Sequence, residues 1–115
     1  MLYRLKKRIV ISASHSLNLS YESKCRKTHG HNWVVWVYCE SRELDESGMI
    51  VDFTVIKRLI HDKLDHQNLN EVLDFNPTAE NLAEWICNQI QSCYRVDVQE
   101  SEGNIATCIA DVVIR

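Results

Sequence analysis

The chain has 115 residues, of which 45% are apolar and 25% charged, values typical of a single globular domain spanning 1–115. Its net charge of −3 gives no reason to expect a nucleic-acid or membrane-surface partner. No apolar run approaches the roughly 18 residues that cross a bilayer, and the basic segment 1–8 lacks the apolar core of a signal peptide.

The cysteine pattern argues against a disulfide framework. There are five cysteines, an odd number, and none forms a CxxC pair. We therefore expect reduced thiols and a cytoplasmic location. Four cysteines fall within or at the ends of predicted strands and helices, where cysteine usually acts as a small buried apolar residue: Cys39, Cys87, Cys93 and Cys108.

Alternating residues predict two strands in the first third of the chain. A strand over 5–15 places Ile9, Ile11, Ala13 and His15 on one face. The clearest strand covers 29–40, and since both of its faces are largely apolar we expect both to be covered. One face of this second strand carries His29, His31, Trp33, Val35, Val37 and Cys39.

Two helices and two further strands are predicted after a polar turn at 41–48. The first helix begins with Asp52 as N-cap and ends near Leu64, followed by a loop over 65–76. The second begins at Asn76-Pro77 or at Thr78 and ends near Ser92. Strands over 95–100 and 105–114, joined by a turn at 101–104, complete the order ββααββ. This order predicts an α+β fold, a four-stranded antiparallel sheet with two helices on one face.

Three histidines are expected to converge on a metal ion. His29 and His31 are two apart on a strand, so their side chains point the same way. His15 ends the strand that should pair with this one. Three imidazoles and one open position form a known catalytic zinc site. The alternatives are ordinary polar residues at a strand start, or a structural zinc site with Cys25 as the fourth ligand.

Cys25 is the cysteine whose surroundings indicate reactivity. It lies in a predicted loop between Lys24 and Arg26, and adjacent cations favour the thiolate. A thiolate there can act as a base or a nucleophile. The alternative is an inert surface thiol.

Two acidic positions are further candidates. Asp65 precedes His66, and an aspartate can orient a histidine in a proton relay. Glu100 ends a strand with apolar neighbours on its own face, so its carboxylate should lie at the edge of a pocket and can accept two hydrogen bonds from a guanidine-like group. Glu102 competes with Glu100 for that role, and His61 is expected to be solvated.

These residues belong to a series of motifs that resembles the 6-pyruvoyl-tetrahydropterin synthase superfamily. The order of the motifs matches over nearly the whole chain, and the three-residue gap between Cys25 and His29 is most similar to the bacterial branch, the 6-carboxy-5,6,7,8-tetrahydropterin synthases of queuosine biosynthesis. The motifs are SASH at 12–15, CRKTHGHN at 25–32, VDF at 51–53, LDHQNLN at 64–70, NPTAENLA at 76–83 and QE at 99–100.

The resemblance implies a tunnelling fold (T-fold) that assembles into trimers or hexamers with active sites between subunits. It implies a zinc-dependent lyase that converts 7,8-dihydroneopterin triphosphate to 6-carboxytetrahydropterin, acetaldehyde and triphosphate. The alternatives are the 6-pyruvoyl-forming enzyme, a non-catalytic T-fold metal-binding module and a generic zinc hydrolase, although the last lacks a motif such as HExxH.

The resemblance also implies a role for each matching residue. The zinc ligands would be His15, His29 and His31, and Cys25 would be the proton acceptor. Asp65 and His66 would relay protons. Glu100 would anchor the pterin by its amino-pyrimidinone edge, with help from Thr78. The loop cations are candidates for the triphosphate: Lys24, Arg26 and Lys27.

Overall fold

A five-stranded sheet forms the centre of the computed structural model, which describes residues 1–111. Its strands lie side by side in the order β3-β1-β2-β4-β5. Every neighbouring pair is antiparallel except β1 and β3, which are parallel. The α+β class is confirmed, and the strand count is five rather than four. The strands are β1 Tyr3–His15, β2 His29–Ser41, β3 Gln67–Asn68, β4 Cys93–Ser101 and β5 Asn104–Ile109.

The helices lie on one face of this sheet. The first, α1, comprises Phe53–Ile56, a π-helical turn Lys57–His61 and Asp62–Leu64. A short helix α2, Leu69–Val72, and a longer helix α3, Ala79–Asn88, follow. No helix within residues 1–111 has the length and apolar character that crossing a membrane would need.

Helix capping follows the sequence signals closely. The carboxylate of Asp52 accepts a hydrogen bond from the backbone N–H of Thr54 at 2.8 Å, as expected for an N-cap. Of the two starts considered for the longer helix, the structure uses Thr78, whose hydroxyl accepts from the N–H of Asn81 at 3.1 Å. The helix ends at Asn88, four residues before the predicted Ser92.

Strand alternation sorts the side chains as predicted. The odd-numbered residues of β1 and β2 face the helices and form the core with the buried faces of α1 and α3. Trp33, Val35 and Val37 are completely buried there. The other face of β2 is covered only in part within the chain, since Val34, Trp36 and Tyr38 are half-buried.

Three other predictions need correction. The loop predicted over 65–76 contains β3 and α2, which are too short to give a periodic sequence signal. The first strand begins at Tyr3 and the fourth at Cys93, each two residues before the predicted start. The last strand begins at Asn104 and ends at Ile109 instead of Ile114, and the predicted part beyond residue 111 lies outside the described residues.

Candidate metal centre and active site

Three imidazoles converge where β1 ends and β2 begins. In the antiparallel register His15 is opposite His29, and Ala13 is opposite His31. All three rings therefore lie on the helix-covered side, with ring centroids 4.6 to 5.0 Å apart. One nitrogen from each ring can be chosen so that all three lie within 4.8 Å of one another.

Backbone carbonyls fix the tautomers of two of these rings. Nδ1 of His15 lies 2.8 Å from the carbonyl oxygen of Pro77, and Nδ1 of His29 lies 2.7 Å from that of Lys27. A carbonyl oxygen only accepts, so each Nδ1 carries the proton and donates it. In the neutral form of each ring the lone pair is consequently on Nε2, the atom left for a metal ion.

Burial leaves two of the nitrogens without partners. Nε2 of His15 and Nε2 of His31 are buried and have no hydrogen-bond partner among the described residues. Burial also lowers the pKa of both His15 and His31, which favours their neutral forms. Buried, neutral nitrogens that point at one another are expensive unless a cation fills the space between them. The arrangement fits a divalent metal such as zinc.

Trp33 packs beneath the imidazoles. Its indole N–H donates to the carbonyl oxygen of Ala13 at 3.1 Å. Its ring meets those of His15 and His31 edge to face, with centroid distances of 4.8 and 5.3 Å. Trp33 therefore limits the directions in which the two imidazoles can turn.

The carboxylate of Glu100 reaches the same group of histidines from β4. Its Oε1 lies 3.5 Å from Nε2 of His31 and its Oε2 lies 3.8 Å from Nε2 of His15. Glu102 is exposed in the turn between β4 and β5. Of the two competing glutamates, it is thus Glu100 that faces the histidines.

Cys25 lies in a short 3₁₀ turn, Lys24–Arg26, in the loop between β1 and β2. Its N–H donates to the hydroxyl of Ser23 at 3.2 Å, and its carbonyl oxygen accepts from the N–H of Leu17 at 2.8 Å. These contacts hold the backbone of the half-buried Cys25 close to the end of β1. Arg26 pairs with Glu22 at 2.9 Å, so part of its charge is already neutralised.

Asp65 and His66 form a hydrogen-bonded pair at the opposite edge of β1. Nδ1 of His66 lies 2.8 Å from Oδ2 of Asp65, while Oδ1 of Asp65 accepts from the N–H of Ser12 at 2.9 Å. His66 has a φ of 60°, a left-handed conformation that is unusual for histidine. Such backbone strain persists where the surrounding contacts hold it, here the bond from the N–H of His66 to the carbonyl of Ser12 at 2.7 Å.

This pair does not meet Cys25 within the chain. His66 borders a shallow pocket together with Ser12, Ser14 and Asn32. The side chains of Ser12 and Ser14 alternate with those of Ala13 and His15, so they point away from the three imidazoles. No hydrogen bond or ion pair among residues 1–111 joins Cys25 to Asp65 or His66.

Thr78 and the remaining cysteines have structural surroundings. The hydroxyl of Thr78 caps α3, as described above, and this leaves its O–H free to donate elsewhere. Cys87 and Cys93 are buried in the core, where hydrogen bonding with Cys39 and Cys87, together with burial, raises the pKa of Cys93. Burial also raises the pKa of Cys108, so neither Cys93 nor Cys108 resembles a reactive thiolate.

Sequence reasoning missed three groups at the site: the carbonyls of Pro77 and Lys27, and the ring of Trp33. A backbone carbonyl leaves no trace in residue type, so the orientation of the imidazoles was not readable. The sequence did give an indication for Trp33, because this residue lies on the histidine-bearing face of β2, two residues after His31. That position fits either a core residue or a residue beneath the site.

The α+β fold with its mostly antiparallel sheet and the group of three histidines together define a T-fold protein with a candidate metal site. The family model for 6-pyruvoyl tetrahydropterin synthase matches residues 4–111. The chain therefore belongs to the 6-pyruvoyl tetrahydropterin synthase family.

Relatives within the family carry different names. The 6-carboxy-5,6,7,8-tetrahydropterin synthase of Bacillus subtilis (strain 168) is 35% identical over an alignment of 97 positions, which covers 78% of this chain and 66% of the relative. The 6-pyruvoyl tetrahydrobiopterin synthase of Dictyostelium discoideum is 34% identical over an alignment of 122 positions, gaps included, which covers 87% of this chain and 90% of the relative. The solved 6-pyruvoyl tetrahydropterin synthase of Caenorhabditis elegans superposes with a TM-score of 0.76 at 26% identity, covering 96% of this chain and 97% of that one.

Proposed function

We propose that the protein is a zinc-dependent 6-carboxy-5,6,7,8-tetrahydropterin synthase. It would convert 7,8-dihydroneopterin triphosphate to 6-carboxytetrahydropterin, acetaldehyde and triphosphate, a step of queuosine biosynthesis. The observation that carries the proposal is the set of buried, partnerless imidazole nitrogens of His15 and His31 beside His29, in a chain of this family that also has Cys25.

In this proposal His15, His29 and His31 hold the metal through Nε2. A zinc ion bound there supplies Lewis-acid polarisation of the oxygens on the substrate side chain. The carbonyls of Pro77 and Lys27 keep the Nδ1 protons on the far side of two rings, so no proton has to leave either ring when it binds a metal.

Cys25 is the proposed base for the proton on the substrate carbon next to the ring. The hydrogen bonds to Ser23 and Leu17 hold the backbone of Cys25 near the histidine-bearing end of β1. Lys24 and Lys27 lie in the same loop and are exposed, so they remain candidates for the triphosphate.

His66 is the proposed proton carrier, and Asp65 the residue that orients it. Because no hydrogen bond or ion pair within residues 1–111 joins this pair to Cys25, we propose that it serves the site of a neighbouring subunit in a trimer or hexamer. Ser12 fixes the carboxylate of Asp65 through its backbone N–H, which leaves Oδ2 for Nδ1 of His66. Nε2 of His66 is then the atom at which a proton can be taken up and released.

The pterin itself would be held by Glu100 and Thr78. A carboxylate accepts two parallel hydrogen bonds from an amino-pyrimidinone edge, and the hydroxyl of Thr78 still has a hydrogen to donate.

The main competing function is 6-pyruvoyl formation, in which triphosphate leaves without carbon loss. The names of the Dictyostelium and Caenorhabditis proteins support that alternative.

One incubation distinguishes the two functions. Purified, zinc-loaded protein is mixed with 7,8-dihydroneopterin triphosphate, and the products are analysed by mass spectrometry. We expect 6-carboxytetrahydropterin together with acetaldehyde. A pyruvoyl product would transfer the assignment to the competing enzyme, and no turnover by a zinc-loaded protein would favour a non-catalytic metal-binding module.

A further inference from the structure

The Glu100 carboxylate lies next to two of the three imidazoles, those of His31 and His15. We propose that Glu100 is the fourth protein ligand of the metal ion while no substrate is bound. This inference rests on the three-histidine site of the proposed function and adds to it a carboxylate from a different strand, β4. It assigns Glu100 a second role besides contact with the pterin.

The distances do not describe hydrogen bonds. A charge-assisted bond between an imidazolium and a carboxylate is about 2.7–2.9 Å long, whereas Glu100 lies 3.5 Å from Nε2 of His31 and 3.8 Å from Nε2 of His15. The proton of His15 is on Nδ1, facing Pro77, so its Nε2 presents a lone pair. A lone pair opposite a carboxylate oxygen is repulsive unless a cation lies between them.

The same distances fit donors that share a metal ion. With metal–nitrogen and metal–oxygen bonds of about 2.0–2.1 Å, neighbouring donors of a tetrahedral site lie about 3.3–3.5 Å apart. The separations of Glu100 from His31 and His15 are close to this edge length. Glu100 presents a different oxygen to each histidine, Oε1 to His31 and Oε2 to His15.

The strand explains how Glu100 comes to this position. Val96 and Val98 are completely buried and face the helices, and Glu100 continues the same alternation. The pairing of β4 with β5 is irregular between Gln99 and Ser101, so the strand is distorted at Glu100. The side chain of Glu100 remains 27% exposed, so a substrate can reach and displace it.

A displaceable carboxylate has a chemical consequence. With Glu100 bound, the metal has four protein ligands and no open position, so water and other small ligands are kept out. An oxygen of the substrate side chain would replace the carboxylate. Once released, the carboxylate is free to accept the hydrogen bonds of the pterin edge. Binding of the pterin edge by Glu100 would thus free a position on the metal for the side-chain oxygen of the same substrate molecule.

Cobalt(II) and azide test this directly. Cobalt(II) replaces zinc in the purified protein, and its visible spectrum is followed during an azide titration of wild type, Glu100→Gln and Glu102→Gln. Glu102 is the matched control, because it is an exposed glutamate two residues away. We expect azide to bind the Glu100→Gln site about tenfold or more tightly than the wild-type site, with Glu102→Gln like wild type. Competition with a chelator should show metal affinity lowered by about tenfold or more in Glu100→Gln alone.

The outcomes separate the inference from the function on which it depends. Equal azide affinity in wild type and Glu100→Gln would show an open fourth position in the wild type and overturn the inference, while leaving the three-histidine site intact. A wild-type protein that binds no cobalt would overturn the metal site itself. Circular dichroism of the three metal-free proteins shows whether each variant is folded, and the wild-type titration alone already reports whether azide enters freely.

Discussion

Nδ1 of His15 donates a hydrogen bond of 2.8 Å to the carbonyl oxygen of Pro77, a residue 62 positions further along the chain. This contact ties the last residue of β1 to the turn that begins α3. It also leaves the Nε2 atom of a completely buried ring without a hydrogen-bond partner among residues 1–111. The fold therefore prepares the ring for a metal ion at the cost of an unsatisfied atom when the metal is absent.

Metal binding should consequently stabilise the protein. At free zinc of 100 times the dissociation constant, the expected gain is about 2.7 kcal/mol. For a chain of this size, a melting temperature change of roughly 4 °C per kcal/mol gives about 10 °C. His31→Ala should remove most of this zinc-dependent shift, because it deletes one of the three nitrogens. Thermal melts with zinc and with a chelator measure it.

His61→Ala is the control for that experiment. His61 lies on α1, bonded to Asp62 at 3.0 Å and outside the group of three imidazoles. Its variant should keep the full zinc-dependent shift. A His31→Ala protein that zinc still stabilises as strongly as wild type would contradict the assigned ligand set.

Replacing Cys25 by Ala should reduce turnover by about 10²- to 10⁴-fold, the usual contribution of a positioned base. Zinc content and melting temperature should stay close to wild type, since the thiol is half-buried and its turn is held by backbone contacts. Steady-state kinetics and metal analysis provide the two readouts. Cys108→Ala is the matched control, because Cys108 lies on β5 outside the site, and it should retain activity. Full activity of Cys25→Ala would exclude the thiol as the base.

The sequence predicted the site where side-chain alternation determines direction. Strand parity placed His15, His29 and His31 on one face, and it put Glu100 on the same face as Val96 and Val98. These predictions depend only on local geometry, which has a period of two residues. The same rule predicted the buried face of β2.

What the sequence did not reveal depends on contacts between distant backbone atoms. Asp65 is fixed by the N–H of Ser12, 53 positions earlier, and the ring of His15 by a carbonyl group that every residue possesses. β3 has two residues, too few for any periodic pattern, yet it brings Asp65 and His66 to the edge of β1. Residue types alone carry no record of such pairings.

Asp97 gives a prediction on acid stability. Burial alone would raise the pKa of Asp97, but hydrogen bonds from Arg95, Thr107 and Tyr38 outweigh it and lower the pKa below the ordinary 3.8. A lowered pKa in the folded state stabilises the protein above pH 3.8, and that contribution is lost as the pH falls through the folded-state pKa. At neutral pH, Asp97→Asn should cost about 2 kcal/mol, since it weakens charge-assisted bonds.

Urea unfolding of metal-free protein from pH 7 down to pH 3 measures this effect. The difference in unfolding free energy between wild type and Asp97→Asn should shrink as the pH falls below 3.8. The histidines titrate alike in both proteins, so their contribution cancels. Asp74→Asn, which removes an exposed carboxylate, is the control and should be neutral throughout. A difference that stays constant down to pH 3 would show that the charge of Asp97 is not responsible.

The backbone of His66 supplies the last prediction. Its φ of 60° is strained for histidine and relaxed for glycine. In His66→Gly, relief of strain and the larger entropy of the unfolded chain act in opposite directions. The unfolding free energy should therefore stay within about 1 kcal/mol of wild type, while turnover falls by about 10²-fold or more because the proton carrier is gone. Urea titration and steady-state kinetics test both statements.

Mixing inactive Cys25→Ala subunits with inactive His66→Gly subunits, after dissociation and reassembly, should then restore part of the activity, since some sites would combine an intact Cys25 with an intact His66 from a neighbour. Mixtures that remain as inactive as either variant alone would contradict a site shared between subunits.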